Sequence, residues 1–196
     1  MSSDVLSRFL AILVFLASLL SFGVKAQPIF IEEDFDSWFS SCAPDWDCQS
    51  LGNCQGPGCK WARQDEFPQS TQPASIDCGG NGVYARCHTT TLSTGHAPVL
   101  ISPIIDLSTY LDSTPLAWFF CMINASQSSF DSDTLWVDVS MDAGNTWTSI
   151  WSNDTVYNTW TQTKVILPKI YQSSNFRFRF RGTANLSLGD MGIDNV

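Results

Sequence analysis

Three sets of side chains in this sequence have types and spacings suited to chemistry. The first is acidic. Glu33, Asp34 and Asp36 stand near the start, and Asp190 and Asp194 near the finish. Clustered carboxylates repel one another, and a hard cation with about six to eight oxygen ligands removes that repulsion. If the fold brings the two ends together, Asp34, Asp36 and Asp194 are the expected ligands of a structural calcium ion, with Glu33 in reserve. No EF-hand spacing supports the ion, and solvated strand ends are the plainer reading. The second set is cationic. In Phe176-Arg177-Phe178-Arg179-Phe180-Arg181 three arginines share one face of a strand, where they either meet a carboxylate or sulfate from outside or pair with neighbouring Asp and Glu. The pairing is the plainer expectation.

The third set is sulfur. Cys42, Cys48, Cys54, Cys59, Cys78 and Cys87 crowd a stretch rich in Gly, Pro, Asp and Gln, and Cys121 stands apart. What these thiols do depends on the compartment, and the N-terminus speaks to that. Residues 1–26 read as a secretory signal peptide: Arg8 is basic, Phe9–Phe22 is apolar, and Val24-Lys25-Ala26 offers small residues to the peptidase. The apolar run is short of the ~20 residues a membrane span needs. In an oxidising compartment the six clustered cysteines are disulfide candidates that staple N-terminal loops. A zinc site is disfavoured, because there is no C-x-x-C pair and His88 and His96 both lie downstream. Cys121 is either an inert core thiol or the partner of a loop cysteine. Seven is odd, so at least one cysteine has no partner within the chain, and Cys121 is the expected free thiol. Asn124, Asn153 and Asn185 each head an Asn-x-Ser/Thr triplet and are expected to carry N-glycans in a eukaryotic source.

These groups need elements to position them, and the clearest is Leu135–Trp151. Leu135, Val137, Val139 and Met141 fall on one face, and Trp136, Asp138, Ser140 and Asp142 on the other. Asp142-Ala143-Gly144-Asn145 has turn chemistry, since Asp accepts from backbone N–H groups ahead of it and Gly and Asn tolerate positive φ. Thr146–Trp151 then restarts an extended run with two indoles on one face. A hairpin follows, its Asp142 knitting the turn and Trp147 plugging a core. Other expected strands are Phe30–Phe39, Gly82–Cys87, Val99–Asp106 (interrupted by Pro103), Leu116–Ile123 with both faces apolar, Trp160–Leu167, Phe176–Arg181 and a last strand near Gly192–Val196. No stretch after the leader has helical periodicity. Short strands between Gly, Pro, Asn and Ser turns argue an all-β sandwich forming one domain over residues 27–196.

The formal charge is −9, and loss of a leader carrying Arg8, Lys25 and Asp4 makes it −10. That balance opposes nucleic acid and anionic membranes, because each phosphate contact needs a Lys or Arg. It is compatible with calcium, cationic partners and neutral sugars.

Taken in order, several short motifs resemble a family. They are Asp34-Phe35-Asp36, Leu100-Ile101-Ser102-Pro103, Leu116-x-Trp118-Phe119-Phe120-x-Met122, Asp133-x-Leu135-x-Val137, Trp160 and Gly189–Val196. This order resembles a MAM domain, the adhesion module of meprins, neuropilins and receptor tyrosine phosphatases, and the similar jelly rolls of bacterial secreted proteins. Ser140-x-Asp142-x-Gly144-x-Thr146-Trp147 looks like an Asp-box, and with the Phe-Arg repeat and Ile-Asp-Asn-Val it is similar to a reelin subrepeat. The resemblance implies a two-sheet jelly roll without enzymatic activity, used for adhesion, with calcium near its termini. Two departures stand out. The Cys42–Cys87 cluster is richer than the MAM pattern, and the last strand stops at Val196 where such domains usually continue, so membrane attachment would come only through a downstream segment.

The expected function is therefore a secreted or cell-surface recognition module that binds an extracellular protein or glycan. The alternative is an accessory domain or fragment of a secreted glycosidase or protease. Sialidase propellers carry several Asp-boxes in a far longer chain. No G-x-S-x-G elbow occurs, and neither histidine sits in a zinc or triad motif. A glycosidase carboxylate pair has no sequence signature of its own.

Overall fold

The structure is a computed structural model that describes residues 31–38, 42–52, 59–64, 77–80, 82–88, 96–110, 115–126, 133–184 and 189–196. The leader, Cys54 and Asn185 lie outside the described residues. The unit from Ile31 to Val196 is an all-β sandwich of two antiparallel five-stranded sheets. Its strands are β1 (Asp47–Leu51), β2 (Trp61–Arg63), β3 (Ala85–His88), β4 (Ala97–Ile101), β5 (Leu116–Ser126), β6 (Thr134–Ser140), β7 (Thr148–Asn153), β8 (Tyr157–Leu167), β9 (Arg177–Thr183) and β10 (Gly189–Asp194). The first sheet runs β1-β4-β9-β6-β7 and the second β2-β3-β10-β5-β8. A 3₁₀ turn, Lys169–Tyr171, follows Pro168 at the end of β8, and among the described residues no helix is long and apolar enough to cross a membrane.

Alternation drives the packing. Phe176, Phe178 and Phe180 point inward from β9, as do Leu135, Val137 and Val139 from β6. They meet the inward face of the second sheet, where Phe120 lies 5.0 Å from Phe180 and Trp118 5.3 Å from Phe178, centre to centre. Burying each such side chain stabilises the fold by about 1.5–3 kcal/mol. The sheets come close at Gly182, where a Cβ would stand 2.6 Å from Cys87 Sγ and 2.8 Å from Met191 Cε.

The hairpin forms as expected between β6 and β7, with one correction. Val137 pairs with Trp151 and Asp138 with Ser149, so Ile150 is the extra residue of a β-bulge. A bulge reverses the facing of everything beyond it. Trp151 therefore turns inward against Phe120, 5.7 Å away, while Trp147 and Ser149 face outward. The two indoles do not share a face, and Met141, past the end of β6, is exposed.

Three other expectations need adjustment. Within 30–39 no strand forms among the described residues; instead Glu33 and Val196 exchange two backbone hydrogen bonds of 3.0 and 2.8 Å, and the chain turns at Phe35, whose φ is 59°. The two ends thus do meet. Leu116–Ile123 is less enclosed than its composition implies, because Phe119 is exposed on the outer face. Pro103 does interrupt its strand: β4 stops at Ile101, and pairing with β9 resumes at the Ile105–Phe176 bridge.

Candidate functional site

The outward face of β9 and β6 carries a row of interlocked side chains. Register puts Asp138 opposite Arg179 and Trp136 opposite Arg181. Asp138 is almost wholly buried, yet it accepts from Arg179 Nε at 2.8 Å, from Arg181 Nε and Nη2 at 2.8 and 3.1 Å, and from Ser149 Oγ at 2.5 Å. Burial opposes its charge, but the bonds from Arg181, Ser149 and Arg179 outweigh that and hold its pKa below the ordinary value. The guanidinium carbon of Arg179 stands 4.4 Å from the Trp147 ring centre, and that of Arg181 stands 4.8 Å from Trp136. The order across the face is Trp147, Arg179, Asp138, Arg181, Trp136. Indole N–H of Trp136 is tied to Thr183 Oγ1 at 3.0 Å. Arg177, the third of the stripe, donates to Asp47 Oδ2 and to the Ser102 carbonyl, each at 2.6 Å. The expected pairing of the arginines with acidic neighbours is what the structure shows.

Beside this row opens a pocket of about 390 Å³, lined by His96, Trp147, Ser149, Arg179, Arg181 and Thr183 among others. The His96 Nδ1 atom is buried without a hydrogen-bond partner.

The turn below it is built from the residues singled out in sequence. Ser140 Oγ donates to Asp142 Oδ1 at 2.7 Å and accepts from Gly144 N at 2.8 Å. Asp142 accepts from Thr146 N at 2.8 Å and Thr146 Oγ1 at 2.6 Å, which holds its pKa down at about 2. Ala143 and Gly144 take positive φ, 60° and 97°. Trp147, however, does not plug a core; the bulge at Ile150 leaves it outside, beneath Arg179.

The acidic ends make a second place of interest. Asp194 accepts from Cys78 N and Asn195 N, both at 2.9 Å. Burial pushes its pKa up to about 6, the nearby charges of Asp77 and Asp36 adding to the effect against those bonds. Asp36 Oδ1 accepts from Val83 N at 2.9 Å, and Asp77 Oδ1 from Gly80 N. Asp36 and Asp77 both lean over Gly82: a Cβ there would fall 1.9 Å from Asp36 Oδ1 and 2.6 Å from Asp77 Oδ2. Of the expected trio, then, Asp36 and Asp194 come together. Asp34 lines a neighbouring groove with Glu33, which accepts from Phe35 N and Trp46 Nε1. Asp77 joins instead, and only its place in a Cys-Gly-Gly turn hinted at it. Asp190 takes another role, in a buried ion pair with Arg86 at 2.5 Å. Among the described residues no group of three or more His, Cys, Asp and Glu is gathered tightly enough to enclose a metal as it stands.

The cysteines are sorted by strand facing. Cys42 bonds to Cys48, Cys78 to Cys121, and Cys59 is also in a disulfide. Among the described residues the free thiol is Cys87, expected among the bridges, whereas Cys121, the expected free thiol, is bonded. Cys87 points into the core from β3, where burial raises its pKa well above the ordinary thiol value, with Asp133 and Asp190 adding to it. Cys121 has the opposite parity to Phe120 and Met122, so it faces out toward the Cys78 loop. Asn124 is wholly buried, its Nδ2 donating to the Asp133 carbonyl at 2.8 Å, which leaves no room for a glycan. Asn153 ends β7 in a turn and accepts from Thr155 N at 2.8 Å.

Solved structures of similar architecture include the K3 cleaved adhesin domain of Lys-gingipain from Porphyromonas gingivalis w83, at a TM-score of 0.57 and 16% identity over 84% of this chain and 95% of that one. The K2 cleaved adhesin domain of Lys-gingipain is similar at a TM-score of 0.54 and 17% identity, over 84% and 96% of the two chains. No curated protein matches in sequence. Residues 42–196 match the family described as MAM domain, meprin/A5/mu, and with the two-sheet jelly roll in place the chain belongs to that family.

Proposed function

We propose that this protein is a non-catalytic adhesion or recognition module, working outside the cell and meeting a protein or glycan with the outer face of its first sheet. The observation that carries this is the Trp147–Arg179–Asp138–Arg181–Trp136 row beside an open pocket. Arg and Trp are the residues most enriched at binding hot spots, and here both are held rigid before any partner arrives. Membership of an extracellular family, a disulfide-stapled N-terminal region and the signal-peptide pattern support the location. The test is binding of the secreted protein to cells, matrix proteins and a glycan array, comparing Arg179→Gln with Phe119→Ser on the opposite sheet. Loss with the first and not the second supports the assignment; equal binding by both variants and the unmutated protein refutes it. Release of product from chromogenic glycosides or peptides would show catalysis instead.

Calcium is the proposed structural cofactor, held by Asp36, Asp77 and Asp194 rather than by the trio read from sequence. The fit rests on the two carboxylates that converge over Gly82 and on Asp194 beside them, whose pKa burial raises, with the charges of Asp77 and Asp36 adding to the effect. When bound, the ion would supply positive charge at this corner. Asn153 is the proposed glycan site among the described triplets.

A further inference from the structure

We infer that the pocket beside Arg179 takes an acidic sugar, a pyranose unit carrying one carboxylate or sulfate group; this rests on the recognition face assigned above. Three observations lead there. The first is local charge. Two guanidinium groups share the single carboxylate of Asp138, so the site keeps one net positive charge in a chain whose formal charge is −9. The second is unspent donors. Arg179 uses only Nε on Asp138, which leaves both terminal amines for a ligand, and the Nη1 of Arg181 is likewise uncommitted. Arginine forks fit planar and tetrahedral oxyanions with paired, charge-assisted bonds. The third is the nature of the walls. His96, Ser149 and Thr183 line the pocket beside the two arginines, so its wall is partly polar.

The same geometry bears on two other ligands. Trp136 and Trp147 each already carry a guanidinium group over one face of the indole, so the charged forks rather than a bare ring are what the row presents first to a sugar. A dense polyanion would be repelled by the acidic remainder of the chain, whose formal net charge is −9. One anionic group on an otherwise hydroxylated ring satisfies both conditions. The pocket's volume of about 390 Å³ suits one or two sugar rings set against the arginines.

The full secreted chain should be titrated by calorimetry with methyl glucuronide, methyl galacturonide, a sulfated galactoside, their neutral parents and a short Asp/Glu-rich peptide. Acidic sugars are expected to bind at least about tenfold more tightly than the neutral parents, and the carboxylate and sulfate arms show which anion is read. Arg179→Gln should abolish that preference, and Arg179→Lys, which keeps the charge and loses the fork, should lose most of it. Near-UV circular dichroism checks that each variant is folded; if Arg179→Gln is not, Arg179→Lys and His96→Ala carry the comparison. Equal affinity for acidic and neutral sugars overturns the inference, as does no binding at about 10 mM or full acidic-sugar binding by folded variants. Should Arg179→Gln instead abolish binding of a neutral glycan or of the peptide, the acidic-sugar inference falls while the recognition face stands. If cells and matrix bind the folded variants undiminished, the face falls too.

Discussion

Asp138 and Asp194 are two carboxylates of one sandwich, each about 1% exposed, and their surroundings differ in sign. Around Asp138 stand two guanidinium groups and a hydroxyl, and its pKa is lowered. Around Asp194 stand two backbone N–H groups and two further carboxylates, and burial with their repulsion pushes its pKa up to about 6. The same residue type at the same depth is thus held charged in one place and pressed toward neutrality in the other. Depth alone does not decide the state of a buried acid; the partners that register and loop closure bring to it do.

Removing Asp138 should have the largest effect. Asp138→Ala strands Arg179 and Arg181 against a face built for them, and about 3 kcal/mol of stability should go, discounted from a fully buried pair because the arginines keep some solvent. A denaturant melt reads this directly, and a loss below about 0.5 kcal/mol would mean the row is decoration. The acidic corner should respond to an ion instead. Calcium at a hundredfold excess over its dissociation constant should stabilise the protein by about 2.7 kcal/mol relative to chelator, and an unmoved melting temperature would remove the proposed site.

The pH response separates the two regions further. For Asp194 the folded pKa of about 6 lies above the unfolded one, so the folded state binds the extra proton between them. Its contribution therefore favours folding at low pH and is lost as pH rises through about 6. In chelator, Asp194→Asn should flatten the stability profile across that window. Asp138 has the opposite sign: its folded pKa is depressed, so its contribution is present above the unfolded pKa and disappears as pH falls through the folded value. Asp138→Ala should thus alter the profile only at the acid end. If the two variants change the same window, the contrast is wrong. The smallest effect belongs to the hairpin turn. Ser140→Ala removes the acceptor of Gly144 N and a donor to Asp142, and about 1 kcal/mol should be lost, with ligand binding retained in a thermal-shift assay.

What could be read in the sequence follows from the range of the interactions. The Phe-Arg alternation of β9 and the Ser140–Trp147 turn were legible, because period and turn chemistry are local. That Asp138 would bridge Arg179 and Arg181 was not, since it requires the β6–β9 register across 41 and 43 residues. Asp77 was missed for the same reason: its companions Asp36 and Asp194 come from both ends of the chain. The cysteines went astray over one strand's facing. Cys87 lies in a loop-rich stretch of sequence yet points inward from β3, whereas Cys121 sits in an apolar run yet points outward. Composition carries no sign for inward or outward when both faces of a strand are apolar, as in Leu116–Ile123.

The extra residue at Ile150 has a consequence for how this hairpin tolerates genetic change. Substitutions along β7 act one position at a time, so a new side chain at Trp147 alters the outer surface and spares the interior. Loss of a single codon at Ile150 would act on the whole strand. It would restore unbroken alternation and force either Trp151 out of its contact with Phe120 or Trp147 and Ser149 away from Arg179 and Asp138. Point changes and one-residue deletions would therefore have very different survival in this strand, and a scan of viable deletions should show a gap there.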